Sequence, residues 1–553
     1  MSSKSKFVIV GAGSAGCTLA RRILEFDPQA TVKLIETGKQ DRHRFDSWTI
    51  RMPSALTYNV ADTRYNYDYY TVPQPHLGNR KIHEPRGKVV GGSSNINAMV
   101  YIRGHRLDFD RWAQEVGSDE WKYANVLPYF KRAQNHSLGG NLYRGVGGPL
   151  QVRACTSDTV TNELFNVFCE AGVQAGYPRT DDVNGKDQLG FGPFDMTIAP
   201  NGVRCSASVA YLHSMPKEMS TRLQVVTERT VTKILFQDGK RATGVLLDDG
   251  QVLEAESEVI LSAGAVGSPQ LLMLSGVGPK DHLKQVGIQD VVLDNEHVGS
   301  NLQDHLEVYL QYKCKKPVTL FPIGNWSLRY LHRRIKVGLD WFLFGTGVAA
   351  SNQFEMGAFV STNQPGVLHP DIQYHFIPGA VLGQLEFLPY HAFQIHVGTL
   401  RPTSRGSLRL RTNNAMDAPL IDPNFLATER DMQDMRIATR LANELIHQPA
   451  FNDYYDGFIR PQQGFEVLED DTKLDEWIRA SSHSAYHLSC TCAMGKVVDE
   501  HGLVYGLQGL RVVDASIMPS MTSGNLNAPT IMLAEKIADH ICHRAPLPPI
   551  LDA

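Results

Sequence analysis

Near the start of the chain a glycine-rich hexapeptide, GAGSAG at Gly11 to Gly16, separates two runs of different pattern. Phe7 to Val10 before it is continuously apolar, as in a strand buried on both faces. After it, Cys17, Leu19, Ala20, Ile23 and Leu24 recur at helical spacing, and a second apolar run, Thr31 to Ile35, ends in Glu36. Strand, turn, helix and strand in this order predict a Rossmann-type unit. Gly11 permits the tight turn, Gly13 lets backbone approach a pyrophosphate, Ser14 opens the helix, and Gly16 lets helix and strand pack closely. Phosphates would rest on the helix N-terminus, where free N–H groups and the helix dipole favour anions. Glu36, twenty residues beyond Gly16, stands where a ribose hydroxyl finds its acceptor, and its charge disfavours a 2′-phosphate. A tight turn with no ligand would use the same glycines, but the four features together point to dinucleotide binding.

A second cluster, RGKVVGGSSNINAMVYIRG at Arg86 to Gly104, lies too far along to belong to the first turn. Gly91 and Gly92 with Ser93 and Ser94 offer N–H and hydroxyl donors to a longer pyrophosphate or to the edge of a ring, which favours FAD over NAD. Read alone, the segment is also compatible with a serine-capped helix start at Asn95 to Tyr101.

A chain of 553 residues is long enough to form two or three domains. Its hydrophobic and charged fractions, 42% and 20%, are those of a globular protein. A formal net charge of −4 argues against nucleic acid as a partner, and no apolar run reaches the length of a spanning helix. The opening MSSKSK leads straight into the first strand, an arrangement that predicts a cytoplasmic protein without a signal or transit peptide. Eight cysteines in so long a chain do not form a disulfide framework. The closest pair, Cys490 and Cys492, has a spacing that suits neither zinc nor a redox motif, so no metal is expected.

Further runs extend over nearly the whole chain: YIRGHRLDFDRW at Tyr101, AGAVGSPQLLMLSGVG at Ala263, VGSNLQDHLEVYLQ at Val298, SAYHLSCTCAMG at Ser484 and LRVVDASIMPSMTSGNLNAPTIMLAEKIAD at Leu510. With the two glycine clusters they resemble the glucose–methanol–choline oxidoreductase family, and within it the choline-oxidising members. The resemblance implies oxidation of a primary alcohol by hydride transfer to FAD. The product from choline would be the aldehyde precursor of glycine betaine. Members acting on aryl, furan or aliphatic alcohols are the alternative, and a flavin-binding protein without activity a remote one.

Position by position, the resemblance makes His487 the catalytic base and Asn527 its partner, with Asn525 as the other candidate for that place. Asp514 and Ala515 correspond to a late strand touching FAD, Asn97, Ala98, Met99 and Val100 to the loop against the flavin ring, and Val231 to an adenine contact. Asn527 ahead of Pro529 resembles a helix start aimed at the ring. Glu355, in SNQFEMGAF, corresponds to a carboxylate for a quaternary ammonium. Two positions depart from the family pattern, Leu488 in place of proline and Ala493 in place of lysine. Asn95, Ile96 and Asn97 occupy the place where some members attach FAD through histidine, so the FAD should be bound non-covalently.

The expected architecture is α/β. Residues 1–155, 205–309 and 480–553 form a discontinuous FAD-binding domain, and 156–204 with 310–479 an α+β substrate domain with an antiparallel sheet, in which Ile372 to Phe376 and the alternating SLRLR at Ser407 are strands. The electron acceptor is oxygen or a quinone, and a quinone would bring peripheral membrane association.

Overall fold

The computed structural model describes residues 4–42, 47–156, 158–325, 327–382 and 386–551, so the first three residues of MSSKSK lie outside it. Strand β1 (Lys4–Val10), helix α1 (Ser14–Phe26) and strand β2 (Val32–Glu36) follow the order read from the sequence. The two strands pair in parallel, with Phe7 opposite Val32 and Val10 opposite Ile35. On its other edge β1 pairs in parallel with β3 (Val252–Leu261), whose end takes Leu510–Val512 as a further parallel strand. Val8, Ile9, Val259 and Ile260 are all fully buried, which explains the unbroken apolar runs. Leu223–Thr227 extends the parallel part beyond β2, and an antiparallel pair, Val231–Gln237 with Arg241–Leu247, completes seven strands. Pieces from the beginning, middle and end of the chain therefore share one sheet. No helix among the described residues is long and apolar enough to cross a membrane.

A second seven-stranded sheet is antiparallel, with a backbone of β4 (Leu306–Cys314), β5 (Ile372–Ile377) and β6 (Ala392–Thr399), β6 lying between the other two. β4 begins before residue 310, and His483–Ser484 from the C-terminal part of the chain pairs with its first two residues. The SLRLR strand lies elsewhere. Gly406–Arg409 joins Ser300–Leu302 and Leu420–Asp422 in a separate three-stranded sheet.

Alternation decides what the large sheet does. Val308, Leu310, Tyr312, Tyr374, Phe376, Phe393, Ile395 and Val397 belong to one apolar core with Met432, Met435 and Ala438 of the helix Glu429–Ile446. The intervening positions are Glu307, Tyr309, Gln373, His375, Gln394 and His396. Because successive residues of a strand face opposite ways, packing the first set on helices turns the second set toward the nucleotide domain.

Candidate active site

A cavity of about 350 Å³ runs along the carboxyl ends of β1, β2 and β3, the place where open α/β sheets bind ligands. At one end it is lined by Glu36, Thr230 and Val231, in the middle by Gly11, Gly13, Ser14, Gly92 and Ser93, and at the other end by Asn97 to Val100, His487 and Asn525.

The glycines explain the middle. Gly11 has φ +99°, and a Cβ there would sit 2.4 Å from the Ser262 carbonyl oxygen, so only glycine can make the turn. Gly92, at φ +55°, lies on Gly13, where an added Cβ would come 2.7 Å from its Cα. The two glycine clusters thus touch, and the Gly91 amide donates to the Ala12 carbonyl at 2.7 Å. α1 has no capping side chain, and Gly13, Ser14 and Ala15 line the cavity, leaving first-turn amides open to an anion. Gly16 and Gly91 are not on the cavity wall. A Cβ on Gly16 would meet the Gly11 carbonyl at 1.9 Å, and one on Gly91 would meet the Asn95 side chain at 2.3 Å, so both serve packing of the turns.

Glu36 is buried at the end of β2, with its carboxyl accepting from the Ala12 amide at 3.1 Å and the Gly38 amide at 2.9 Å. Burial pushes its pKa up to about 7 against those two bonds. Asp514 takes the Gly264 amide at 2.9 Å, the Ser516 amide at 2.8 Å and the Ser268 hydroxyl at 2.5 Å, which fixes Ala515 and Gly264 on the cavity wall. The segment Asn97 to Val100 is held from behind by Arg204. Its guanidinium donates to the Asn97 carbonyl at 2.6 Å, to the Asn97 side chain at 2.9 Å and to the Ser94 carbonyl at 3.3 Å. Met99 takes a positive φ of 58° there. In place of a helix at Asn95 to Tyr101 the structure has a short 3-10 turn, Gly92–Asn95, followed by the strand Val100–Tyr101.

His487 lies at the far end of the cavity on a turn stapled from both sides. Its amide donates to Asp304 Oδ1 at 2.7 Å, the Tyr486 amide to Ser484 Oγ at 2.7 Å, and the Ala485 amide to the His305 carbonyl at 2.9 Å. Tyr486 adopts φ +67°, a conformation unusual outside glycine, and it aims the next side chain into the cavity. Ser484 Oγ also bridges two buried carboxyls, lying 2.5 Å from Asp304 and 3.2 Å from Glu84. Burial drives the pKa of Glu84 well up and that of Asp304 up to about 6. His487 moves the other way: desolvation first, then the neighbouring His305, Arg86 and His375, keep it well below its ordinary value.

The partner of His487 is Asn525, whose side-chain amide lies 3.3 Å from His487 Nε2. Asn527, read from the sequence as that partner, accepts from Ser14 Oγ at 2.7 Å and so joins α1 to the helix α2 (Asn527–Ile541). The reason is helix geometry: Asn527 is already the first helical residue, whereas Asn525 precedes the helix. Pro529 is buried in the first turn of that helix, off the cavity wall, where its missing N–H costs nothing.

Glu355 is also corrected. It is 1% exposed, with its carboxyl taking the Thr161 amide and hydroxyl, each at 2.6 Å, and the Ser351 hydroxyl. Its neighbours face the site: Asn352 donates to the Ala98 carbonyl at 2.7 Å, and Phe354 packs on His375 and His396. A buried carboxylate on the polar face of the large sheet is Glu307, two residues beyond His305. Burial would raise its pKa, but His396 at 3.3 Å, His375 and the Tyr309 hydroxyl at 2.9 Å outweigh that and hold it below the usual value. Tyr309 stacks on His396 at 4.0 Å and on His483 at 5.1 Å. His375 hydrogen-bonds Asn525, which also accepts from Gln373 at 3.3 Å. Glu307, Tyr309, His375 and His396 escaped the sequence reading, although the polar parity of LEVYLQYKC, IQYHFI and AFQIHVGT carried the signal.

An open helix N-terminus, a buried ribose acceptor and a neutral histidine at the end of one cleft define a dinucleotide-dependent oxidoreductase. Two family models described as GMC oxidoreductase match residues 5–307 and 402–534. Among similar proteins, the oxygen-dependent choline dehydrogenases of Pectobacterium carotovorum and Burkholderia cenocepacia are each 48% identical to this chain. The matches cover 98% of it and 95% and 94% of those proteins. The crystal structure of pyridoxine 4-oxidase from Mesorbium loti superposes with a TM-score of 0.85 at 29% identity, covering 98% of this chain and all of that one. The chain belongs to the GMC oxidoreductase family, and it is an FAD-dependent oxidoreductase of alcohols.

Proposed function

We propose that the enzyme oxidises choline to its aldehyde, with His487 as base and oxygen as electron acceptor. The observation that carries the substrate is Glu307, a buried carboxylate among Tyr309, His375, His396 and His483, on the sheet face that reaches Asn525. A carboxylate ringed by aromatic faces suits a quaternary ammonium. The names of the two relatives agree with both the substrate and the acceptor.

The residues present fit FAD. Glu36 would hold the adenosine ribose, the first turn of α1 and Gly92 with Ser93 the pyrophosphate, and Asn97 to Val100 the flavin ring. The loop from Gly91 to Asn97 contains no histidine, cysteine or tyrosine to form a covalent link, so binding is non-covalent. Bound FAD supplies the hydride acceptor. His487 would take the hydroxyl proton at Nε2, Asn525 would orient the alcohol oxygen beside it, and Glu307 would hold the ammonium end of the alcohol. Addition of choline to the aerated holoenzyme should consume oxygen and release the aldehyde and peroxide. Flavin bleaching without oxygen uptake would move the acceptor to a quinone, and no bleaching would remove choline as substrate.

A further inference from the structure

The helix α3 (Leu331–Phe344) lies on the outside of the molecule. Its inner side packs Trp341 and Val337 against Met52 and Ala55, and the Trp341 indole donates to the Gly202 carbonyl at 2.8 Å. Its outer side should then be polar, and it is not. Leu331, Ile335, Leu339 and Phe342 follow at spacings of four, four and three, which puts them on one stripe. Ile335 and Leu339 are each 52% exposed, Phe342 60% and Leu343 66%. Leu328 just ahead of the helix and Trp48, whose ring lies 6.1 Å from that of Phe342, widen the same patch.

The charged residues on this segment are mostly basic. Arg329, Arg333, Arg334 and Lys336 stand against a single acid, Asp340, which pairs with Lys336 at 2.6 Å. The chain as a whole carries −4, so the patch is a basic exception on an acidic protein. Apolar side chains flanked by cations match a surface that is hydrocarbon below and anionic above. A second copy meeting the same face would set cations against cations, which disfavours self-association there.

We propose that the outer face of α3 is a peripheral docking surface for an anionic lipid bilayer, with Ile335, Leu339, Phe342 and Leu343 entering the interface and Arg329 and Arg333 meeting the headgroups. The surface is linked to the site along the chain, since Asn352 and Phe354 lie eight and ten residues beyond the end of the helix, after a short turn at Val348–Ala350. The proposal rests on this face alone and holds for either electron acceptor.

The test is sedimentation of the holoenzyme with vesicles of phosphatidylcholine mixed with phosphatidylglycerol, and of phosphatidylcholine alone. The enzyme should bind the mixed vesicles, and bind the neutral ones at least about tenfold more weakly, because each cation near an anionic surface contributes about fivefold in affinity. Ile335→Glu with Leu339→Glu should abolish binding while kcat and the flavin content stay unchanged. Arg333→Gln with Lys336→Gln should weaken binding to the mixed vesicles about tenfold or more and leave the residual binding less sensitive to salt. Absence of binding by the unaltered enzyme, or binding that the glutamate pair does not change, would overturn the proposal. So would a dimer in light scattering that the glutamate pair converts to monomer, which would make this face a contact between copies.

Discussion

The Nδ1 atoms of His305 and His487 lie 2.9 Å apart, while Nε2 of His305 lies 3.1 Å from the Leu400 carbonyl oxygen. A carbonyl only accepts, so His305 carries its proton on Nε2 and, being neutral, presents a lone pair at Nδ1. His487 must then donate from Nδ1, which leaves Nε2 as its basic atom, on the side of Asn525. Burial keeps both rings neutral, with His305 pushed down to about 4. The tautomer that accepts a proton from an alcohol is thus fixed before substrate arrives.

Replacing the base tests this assignment. His487→Ala should lower kcat by about 10²–10⁴-fold, the usual worth of general-base catalysis, with flavin absorbance retained. A rate within a few-fold of the original would place the base elsewhere.

Asp304 holds the His487 turn as an anion, yet burial raises its pKa to about 6. As pH falls through about 6 the carboxylate takes a proton and its hold on the His487 amide weakens, so kcat/KM should show an acid limb there. Stability runs the other way. A carboxyl raised in the fold contributes fully below its ordinary value and loses that contribution as pH rises through about 6. Asp304→Asn should remove the acid limb, lower kcat by about 10²-fold through displacement of the base, and flatten Tm over the same interval. A variant that keeps the limb would assign it to another group.

Glu307 and Glu355 make opposite predictions. Glu307→Gln should lower kcat/KM for choline by about 10²-fold and leave a neutral alcohol little affected, measured as paired steady-state constants. Glu355→Gln should leave that preference in place and cost about 1–3 kcal/mol of stability, because its three bonds to Thr161 and Ser351 are buried.

Arg204 is 1% exposed, and its guanidinium donates to the Ile50, Ser94 and Asn97 carbonyls and to the Asn97 side-chain oxygen. Burial pushes it down to about 9, so it stays charged at neutral pH. Arg204→Met should free the loop from Ser94 to Asn97 and weaken FAD binding at least about tenfold, read by flavin release on dilution, since a hydrogen bond from a charged group contributes about 1.5–3 kcal/mol.

The nucleotide half was legible because its constraints are local. Gly11, Gly13 and Glu36 are set by one turn and the strand beside it, and apolar runs such as Phe7 to Val10 mark buried parallel strands. His487 was legible through the motif around it. The substrate half depends on which parity of a strand faces which domain, and a single strand does not reveal that. Glu355 carried a plausible charge at a plausible place, yet it lies in the turn just ahead of the strand Met356–Val360 and its carboxyl bonds Thr161. Glu307 is placed at the site by pairing β4 with β6 and β6 with β5, contacts between residues far apart in the chain. Asn525 and Asn527 differ only in which side of a helix start each occupies.

Anaerobic stopped-flow reduction of the flavin, with choline set beside its neutral isostere in which carbon replaces nitrogen, joins the base and the cation site in one observation. Choline should bleach the flavin rapidly and saturably, the isostere far more slowly, and Glu307→Gln should bring the two together. Equal bleaching by both alcohols in the unaltered enzyme would contradict the ammonium site at Glu307.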